Sequence, residues 1–501
     1  MLIKTQPDEI QDYLSDASHL RGGHASSVAF PESAAEVARA LADSTWKQIP
    51  VTISGAGTGT VAGRVPFGGT VIATDRLNSI KSIETGGGGG HAIVEAGVRL
   101  IDLQRAVESE GLLYAPDPTE RTCLIGGNIA TNASGARTFK YGATRNYVTA
   151  LKIALTSGDV INIRRGELFA RDHKIRIPLG EGRMIEAQLP SYEMPHVRKH
   201  ASGYYVAPGM DVIDLFIGSE GTLGVIVEAE LKLLPKPAGL LSGVVFFDRE
   251  DNLLAFVRDA RARSLARRDG GPGSDVSSLD ARAIEYFDQE SLGFLRQKYA
   301  GIPEQSIGAI FFEQETTYVT EDALMDEWLS LLETHQALTD ESWFGTNEQD
   351  QARLREFRHA LPVLMNEWFA QHQQRKVSTD MAVPDDQFAG MLRFYQDHLR
   401  DGDLRYTIFG HIGDNHVHVN ILPRNDSEGE RARDIYRKFI RRAIDVGGTI
   451  SAEHGIGKLK REYLRELYGD QHLREMGALK RAFDPAGILG RGNMFAEEFL
   501  A

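Results

Sequence analysis

The chain has 501 residues, 42% hydrophobic and 25% charged, which excludes wholesale disorder, a fibrous repeat and a single small domain. A net charge of −14 disfavours a general nucleic-acid or anionic-membrane surface, and a lone cysteine, Cys123, excludes an internal disulfide, a cysteine zinc site and a cysteine-ligated iron–sulfur cluster. The 51 glycines exceed the usual ~7%, so many positions are expected to need positive φ or close approach of backbone to something else. The opening MLIKTQPDEIQDYL lacks the apolar core of a secretory signal, and no run approaches the ~18 apolar residues of a membrane span, so a cytoplasmic multidomain protein is expected.

In chain order, Ser33 and Glu36 have capping-box spacing ahead of a helical pattern at Val37, Ala40 and Leu41. A strand over 49–53 enters SGAGTGTVAGRVPFGGT, a loop without helical periodicity. The strand-like VIATD, a turn at Gly86–Gly90 and the strand AIVEAGV follow, then an amphipathic helix over 101–111 stopped by Gly111. Residues 116–142 read as loop, and VTALKIAL and DVINIRR as two strands around a Ser-Gly turn. The alternating VIVEAELKLL ends at Pro235-Lys236-Pro237, the best domain boundary, because paired prolines end a strand and stiffen a linker. Beyond it come a strand (243–247), a helix (252–266), a loop at GGPGS, a strand (309–313) and a helix (322–335). A later helix over 431–446 buries Ile435, Phe439 and Ala443.

Gly57 to Ala62 nominally matches the dinucleotide fingerprint G-x-G-x-x-A, with Asp75 near the expected acidic distance. That fingerprint must open a helix, yet here it runs into Gly63, Pro66, Gly68 and Gly69, which cannot sustain one. The loop reads instead as a nest of N–H groups for an anion, with an ordinary surface turn as the alternative. Two further glycine-rich stretches run from Gly126 to Gly135 and from Gly218 to Gly224. Ser219 sits in G-S-E-G rather than G-x-S-x-G, with no strand–elbow–helix around it, so no serine nucleophile is expected there.

In order and spacing, GAGTG, PDPTERTCLIGGNIATNASGARTFKYG and DLFIGSEGTLGVIVEAELKLLPKP resemble the FAD-binding domain of the vanillyl-alcohol oxidase/para-cresol methylhydroxylase superfamily. The resemblance implies that Gly55, Ala56, Gly57, Thr58 and Gly59 wrap the FAD pyrophosphate. It places Pro116, Asp117, Gly126, Gly127, Asn132, Ser134, Gly135, Glu220, Gly221, Gly224 and Val225 along the rest of the cofactor. Some members attach flavin through a histidine in the first loop; none stands there, which implies noncovalent FAD.

A second candidate site runs from Phe409 to Asn420, where YTIF and VNIL flank Asp414-Asn415 and suggest a hairpin. A two-residue loop would set His411 opposite His418, with Cβ atoms ~4.5–5.5 Å apart, and His416 on the same face as a third candidate ligand. Glu453-His454, in GGTISAEHGIG, is a third cluster. One residue of such a pair can ligate while the other acts as a base, and histidine suits that task with a reference pKa of ~6.5. Structural roles are the competing reading for all of them.

Together these clusters resemble the C-terminal domain of FAD-linked 2-hydroxy acid dehydrogenases, a group that includes D-lactate and D-2-hydroxyglutarate dehydrogenases and the FAD subunit of glycolate oxidase. The resemblance implies a divalent metal, commonly zinc, on His411, His418 and Glu453, with His454 as base. Arg358 would hold the substrate carboxylate, with Lys376 beside it and Asn420 on substrate or metal-bound water; for Arg358, a plain helix-surface position is the alternative. Asn415-His416 departs from the Gly-Asn of many relatives. Asp484 to Asn493 replaces the common N-P-G-K ending, so any flavin contact from that lysine is lost or substituted.

The expected fold class is α+β. An FAD-binding domain of the para-cresol methylhydroxylase type spans 1–237, and a substrate and metal-binding domain with an antiparallel sheet spans 238–501. The expected activity is oxidation of a small D-2-hydroxy acid, of the D-lactate, glycolate or D-2-hydroxyglutarate class, to the 2-oxo acid, with hydride passing to flavin N5. Electrons would then leave for a separate acceptor: a quinone, a cytochrome or an electron-transfer protein. Peripheral membrane contact through that acceptor, and a homodimer, stay open. Alternatives are a noncatalytic FAD-carrying subunit of a larger oxidase, or a flavin transferase resembling alkylglycerone-phosphate synthase, whose histidine run this sequence lacks.

Overall fold

The computed structural model describes residues 1–270, 278–372, 374 and 376–500; the loop expected at GGPGS lies, from residue 271 onward, outside the described residues. Three strands, Ser27–Phe30, Thr70–Ala73 and Val51–Ser54, are parallel neighbours, and Leu2–Lys4 closes one edge antiparallel. Parallel strands need a crossover, and the helix Ala34–Trp46 supplies the first. Its start is fixed as the sequence suggested. The Ser33 hydroxyl accepts from the Glu36 N–H at 3.3 Å, and the Glu36 carboxylate reaches back to the Glu32 N–H at 2.9 Å. Between Ser54 and Thr70 the chain enters no helix, so the glycine fingerprint does not open a Rossmann unit.

A second, antiparallel sheet runs Ile80–Gly86, Gly89–Glu95, Val225–Pro235, Val148–Ala154, Val160–Arg164, with Leu112–Leu113 pairing the end of Val225–Pro235. The run of five glycines reduces to a two-residue turn in which Gly87 and Gly88 take φ of 58° and 79°, as a tight hairpin requires. Residues 116–142 are not loop throughout: Ile125–Ala130 and Thr138–Tyr141 are short helices. Gly126 belongs there for packing, since a Cβ on it would stand 2.6 Å from the Ala96 Cβ.

The third sheet has seven strands, antiparallel throughout, in the order Trp343–Gly345, Gly239–Phe247, Gly308–Thr316, Ala281–Asp288, Tyr406–Gly410, His418–Ile421, Val377–Ser378. Both faces are covered. Leu241, Val245 and Phe247 pack into the core that holds Phe256 and Trp328, whereas Val244 and Phe246 face Phe357 and Leu361 of the long helix Glu348–His372. The α+β class and the antiparallel C-terminal sheet are therefore as expected. Strand Ala281–Asp288 was not, because Arg282, Glu285 and Asp288 break up its apolar run; all three are buried.

The last stretch of chain returns to the first sheet. The Val51 N–H donates to the Ile488 carbonyl at 2.8 Å and the Gly490 N–H to the Val51 carbonyl at 2.9 Å, which brings residues beyond Asp484 beside the first glycine loop. No helix among the described residues is long and apolar enough to cross a membrane.

Candidate active site

The three glycine stretches meet around one cavity of about 1020 Å³, mouth included. Gly55, Ala56, Gly57, Thr58 and Gly59 form one wall, Gly126 and Gly127 another, and Glu220, Gly221, Gly224 and Val225 a third. A Cβ on Gly59 or Gly127 would meet no atom within 4 Å, so these walls leave room that any side chain would take from a ligand. Arg64, which the sequence reading passed over, also lines the cavity. Its guanidinium donates to the carbonyls of Asp12, Ser15 and Gly55 and holds a positive charge against the first loop.

The other flavin-side expectations stand off that lining. The Asp117 carboxylate lies 3.2 Å from Arg137 Nε and 3.3 Å from Gln104 Nε2. Asn132, at φ 48°, accepts the Arg145 N–H on its side-chain oxygen at 3.0 Å. Pro116 is buried, and the Gly135 carbonyl accepts from Lys199 Nζ at 3.0 Å. Ser134 Oγ donates to Glu453 Oε2 at 3.0 Å and so belongs to the carboxylate–histidine cluster instead.

In that cluster the hairpin register differs from expectation: Phe409, not His411, faces His418. The connection is longer than two residues because a 3-10 turn over Ile412–Asp414 is followed by Asn415 in the left-handed conformation (φ 53°, ψ 34°). The turn folds His411 back, and the two rings converge all the same: His411 Nε2 and His418 Nε2 lie 3.3 and 3.2 Å from Glu453 Oε1. With His416 they offer four ligand atoms within 4.8 Å of one another.

The surroundings prepare these atoms. His411 Nδ1 is 2.6 Å from Glu285 Oε1, and His418 Nδ1 donates to the Thr379 carbonyl at 3.0 Å, which leaves both Nε2 lone pairs for the cluster. Burial opposes a charge on Glu453, but Lys199, 3.0 Å from Oε2, and His411 hold its carboxyl well below the usual range. Burial and the neighbouring His418 depress His416 to about 3, so its ring is neutral. Neither His416 nitrogen has an aligned hydrogen-bond partner, although Nε2 is 3.2 Å from Asp380 Oδ1. Orphaned buried ring nitrogens beside a carboxylate and two poised imidazoles fit a divalent cation better than a closed hydrogen-bond network.

His454 joins the two halves of the site. It lines the glycine cavity, and its ring stacks on His418 with centroids 5.4 Å apart and planes at 14°. A third of the side chain is open, into the cavity, and the protein around the rest lowers its pKa to about 4. Its Nδ1 lies 3.4 Å from Asp380 Oδ2. That carboxylate is fully buried and also accepts from the Glu453 and His454 N–H groups, Ser451 Oγ and Lys460 Nζ. The Glu220 carboxylate accepts the Ile456 and Gly457 N–H groups at 2.6 and 2.7 Å and pins the same loop to the cavity wall.

Arg358, on helix Glu348–His372, donates from Nε to Glu285 Oε2 at 3.1 Å. Asn420 is buried and accepts from Ser378 Oγ at 2.9 Å, on the sheet face of His418 by alternation. Lys376 precedes strand Val377–Ser378; its side chain is exposed, and nearby protein lowers its ammonium to about 8. Glu285, Lys199 and Asp380 escaped the sequence reading. Asp380 is a lone charge ahead of the apolar Met381-Ala382-Val383, Glu285 shares its strand with Arg282 and Asp288, and Lys199 stands between Arg198 and His200.

Residues 25–164 match the FAD binding domain family and residues 275–494 the C-terminal domain of FAD linked oxidases. The glycolate oxidase subunit GlcD of Bacillus subtilis (strain 168) is 31% identical over 496 residues, 97% of this chain and 92% of that protein. A D-lactate dehydrogenase of Anaerostipes hadrus is 30% identical over 92% of this chain and 88% of its own length. A D-2-hydroxyglutarate dehydrogenase of Stutzerimonas stutzeri (strain A1501) is 25% identical over 99% and 96%. Among solved structures, an alkyldihydroxyacetonephosphate synthase superposes with a TM-score of 0.65 at 15% identity, over 97% of this chain and 81% of that one, which shows a shared fold.

Proposed function

Because the chain belongs to the FAD-linked oxidases, a family of oxidoreductases, we propose that it oxidises a small D-2-hydroxy acid to the 2-oxo acid. Noncovalent FAD would lie in the glycine cavity and a divalent metal, zinc by donor type, on His411, His418 and Glu453. The observation that carries this reading is the double membership of His454, which borders the cavity and stacks on the cluster. The names of the relatives support the substrate class, since glycolate, D-lactate and D-2-hydroxyglutarate are all 2-hydroxy acids.

Bound there, FAD supplies a two-electron acceptor and the cation supplies positive charge beside a developing alkoxide. The chain's own residues bind, orient and move the proton. His454, neutral near pH 7, accepts the hydroxyl proton at Nε2 while Nδ1 faces Asp380. Arg358, held at Nε by Glu285 and with Nη1 3.4 Å from His359 Nε2, presents Nη2 to the substrate carboxylate, with Lys376 as a second cation and Asn420 steadying the substrate oxygen. Electrons leave for a separate acceptor in a cytoplasmic setting, a quinone, cytochrome or electron-transfer protein. The one cysteine supports this, being buried with its thiol pushed up to about 11 and unable to build a relay.

Purified protein should carry flavin absorbance and reduce a dye with one of D-lactate, glycolate or D-2-hydroxyglutarate. His454→Ala should keep the flavin and lose about 10²–10⁴-fold in turnover. Near-normal turnover in that variant would remove His454 from the chemistry, and colourless native protein would remove the whole reading.

A further inference from the structure

We propose that Glu285 is a shared positioning carboxylate: one oxygen fixes His411 for metal binding and the other aims Arg358 at the substrate carboxylate. The inference rests on the metal-assisted reading above. Glu285 sits on strand Ala281–Asp288, whose Tyr286 pairs with Gly410, the residue before His411. Its side chain is 4% exposed, so it reaches neither solvent nor the cavity and acts only through its two partners.

The two contacts do different work. Oε1, 2.6 Å from His411 Nδ1, makes that nitrogen the one carrying hydrogen and sends the Nε2 lone pair toward Glu453. Oε2, 3.1 Å from Arg358 Nε, fixes the guanidinium from its stem side; Nη1 lies 3.4 Å from His359 Nε2, and Nη2 is left for the substrate carboxylate. Arg358 is 73 residues away in sequence and His411 is 126, so one side chain ties the ligand hairpin to the helix bearing the carboxylate clamp. A purely structural ion pair between strand and helix would lower stability when broken and leave metal affinity alone.

The test uses the full FAD-loaded chain, stripped with a chelator and titrated with Zn²⁺ against a chromophoric chelator. Glu285→Gln keeps the shape and removes the charge. It should weaken Zn²⁺ binding about 10–100-fold, as lost outer-shell partners of metal-binding histidines do. It should also raise KM about tenfold for the best of D-lactate, glycolate and D-2-hydroxyglutarate, the size of about 1.4 kcal/mol of lost carboxylate binding. Arg358→Met should raise KM while Zn²⁺ affinity stays within about twofold, which separates the two arms. If Glu285→Gln does not load FAD, Glu285→Asp keeps the charge but draws it back by one carbon, and the same two readings should both worsen. Wild-type Zn²⁺ affinity in these Glu285 variants overturns the inference and leaves the proposed function standing. A wild-type chain that binds no Zn²⁺ overturns the metal reading itself.

Discussion

Glu220→Gln isolates the hydrogen bonds that pin the loop of Glu453 and His454 to the cavity wall. The Glu220 carboxylate accepts two backbone N–H groups, Ile456 at 2.6 Å and Gly457 at 2.7 Å, and all three groups are buried. A glutamine can still accept one of them, but its NH₂ must face the other. That leaves a buried donor unpaired, at about 1–3 kcal/mol, and removes the charge assistance from the surviving bond, about 1 kcal/mol more. One term runs the other way. Burial raises the Glu220 carboxyl pKa despite its two donors, so a neutral side chain recovers part of that desolvation cost. The net is about 2 kcal/mol, felt where the loop opens locally. Amide exchange at Ile456 and Gly457, followed by mass spectrometry of native holoprotein, should therefore quicken about 30-fold, while strands such as Gly308–Thr316 exchange as before. Turnover should fall with it, because both Glu453 and His454 ride on the loosened segment. Unchanged exchange at these two amides would refute the pinning role.

Two further outcomes follow from the fold. Gly127→Leu improves helix propensity within Ile125–Ala130 yet projects a side chain into the cavity, so a folded protein purified without flavin is expected; a full complement of FAD would show that the cavity is not where the cofactor lies. Asp288 has its carboxyl pushed up to about 7 by burial, against an unfolded value near ~3.9, so the folded state binds its proton more tightly. Stability should therefore fall as pH rises from about 4 through about 7, by at most about 4 kcal/mol. Asp288→Asn should flatten that slope in urea melts, and parallel profiles for variant and parent would count against it.

What the sequence disclosed and what it hid divide by range. The glycine loops, the capping box at Ser33 and the stop at Gly111 are local, because each depends on the conformations open to a few adjacent residues. The histidine hairpin was half legible. Flanking apolar letters located the strands, but the left-handed Asn415 and the turn before it changed the register, and no periodicity encodes that. Glu285, Asp380 and Lys199 were illegible because a buried charge is tolerated only beside partners, and their hydrogen-bond partners lie 64 to 254 residues away. Read letter by letter, they look like surface residues. Residues 116–142 read as loop, yet Gly126 packs against Ala96 inside a short helix, a contact set by the fold rather than by its neighbours in sequence.

The return of the chain end to the first glycine loop sets an order of assembly. One wall of the cavity is laid down at Gly55–Gly59, yet the Gly63 carbonyl in that loop accepts from Asn493 Nδ2 at 3.0 Å, and Lys458 Nζ reaches both Gly63 and Asn493. On a ribosome these partners emerge some four hundred residues after the loop they complete. The amino-terminal sheets can therefore fold early while this wall of the cavity waits for Lys458 and Asn493. A chain broken off before Lys458 would carry every glycine of the three loops and still lack the contacts from Lys458 and Asn493.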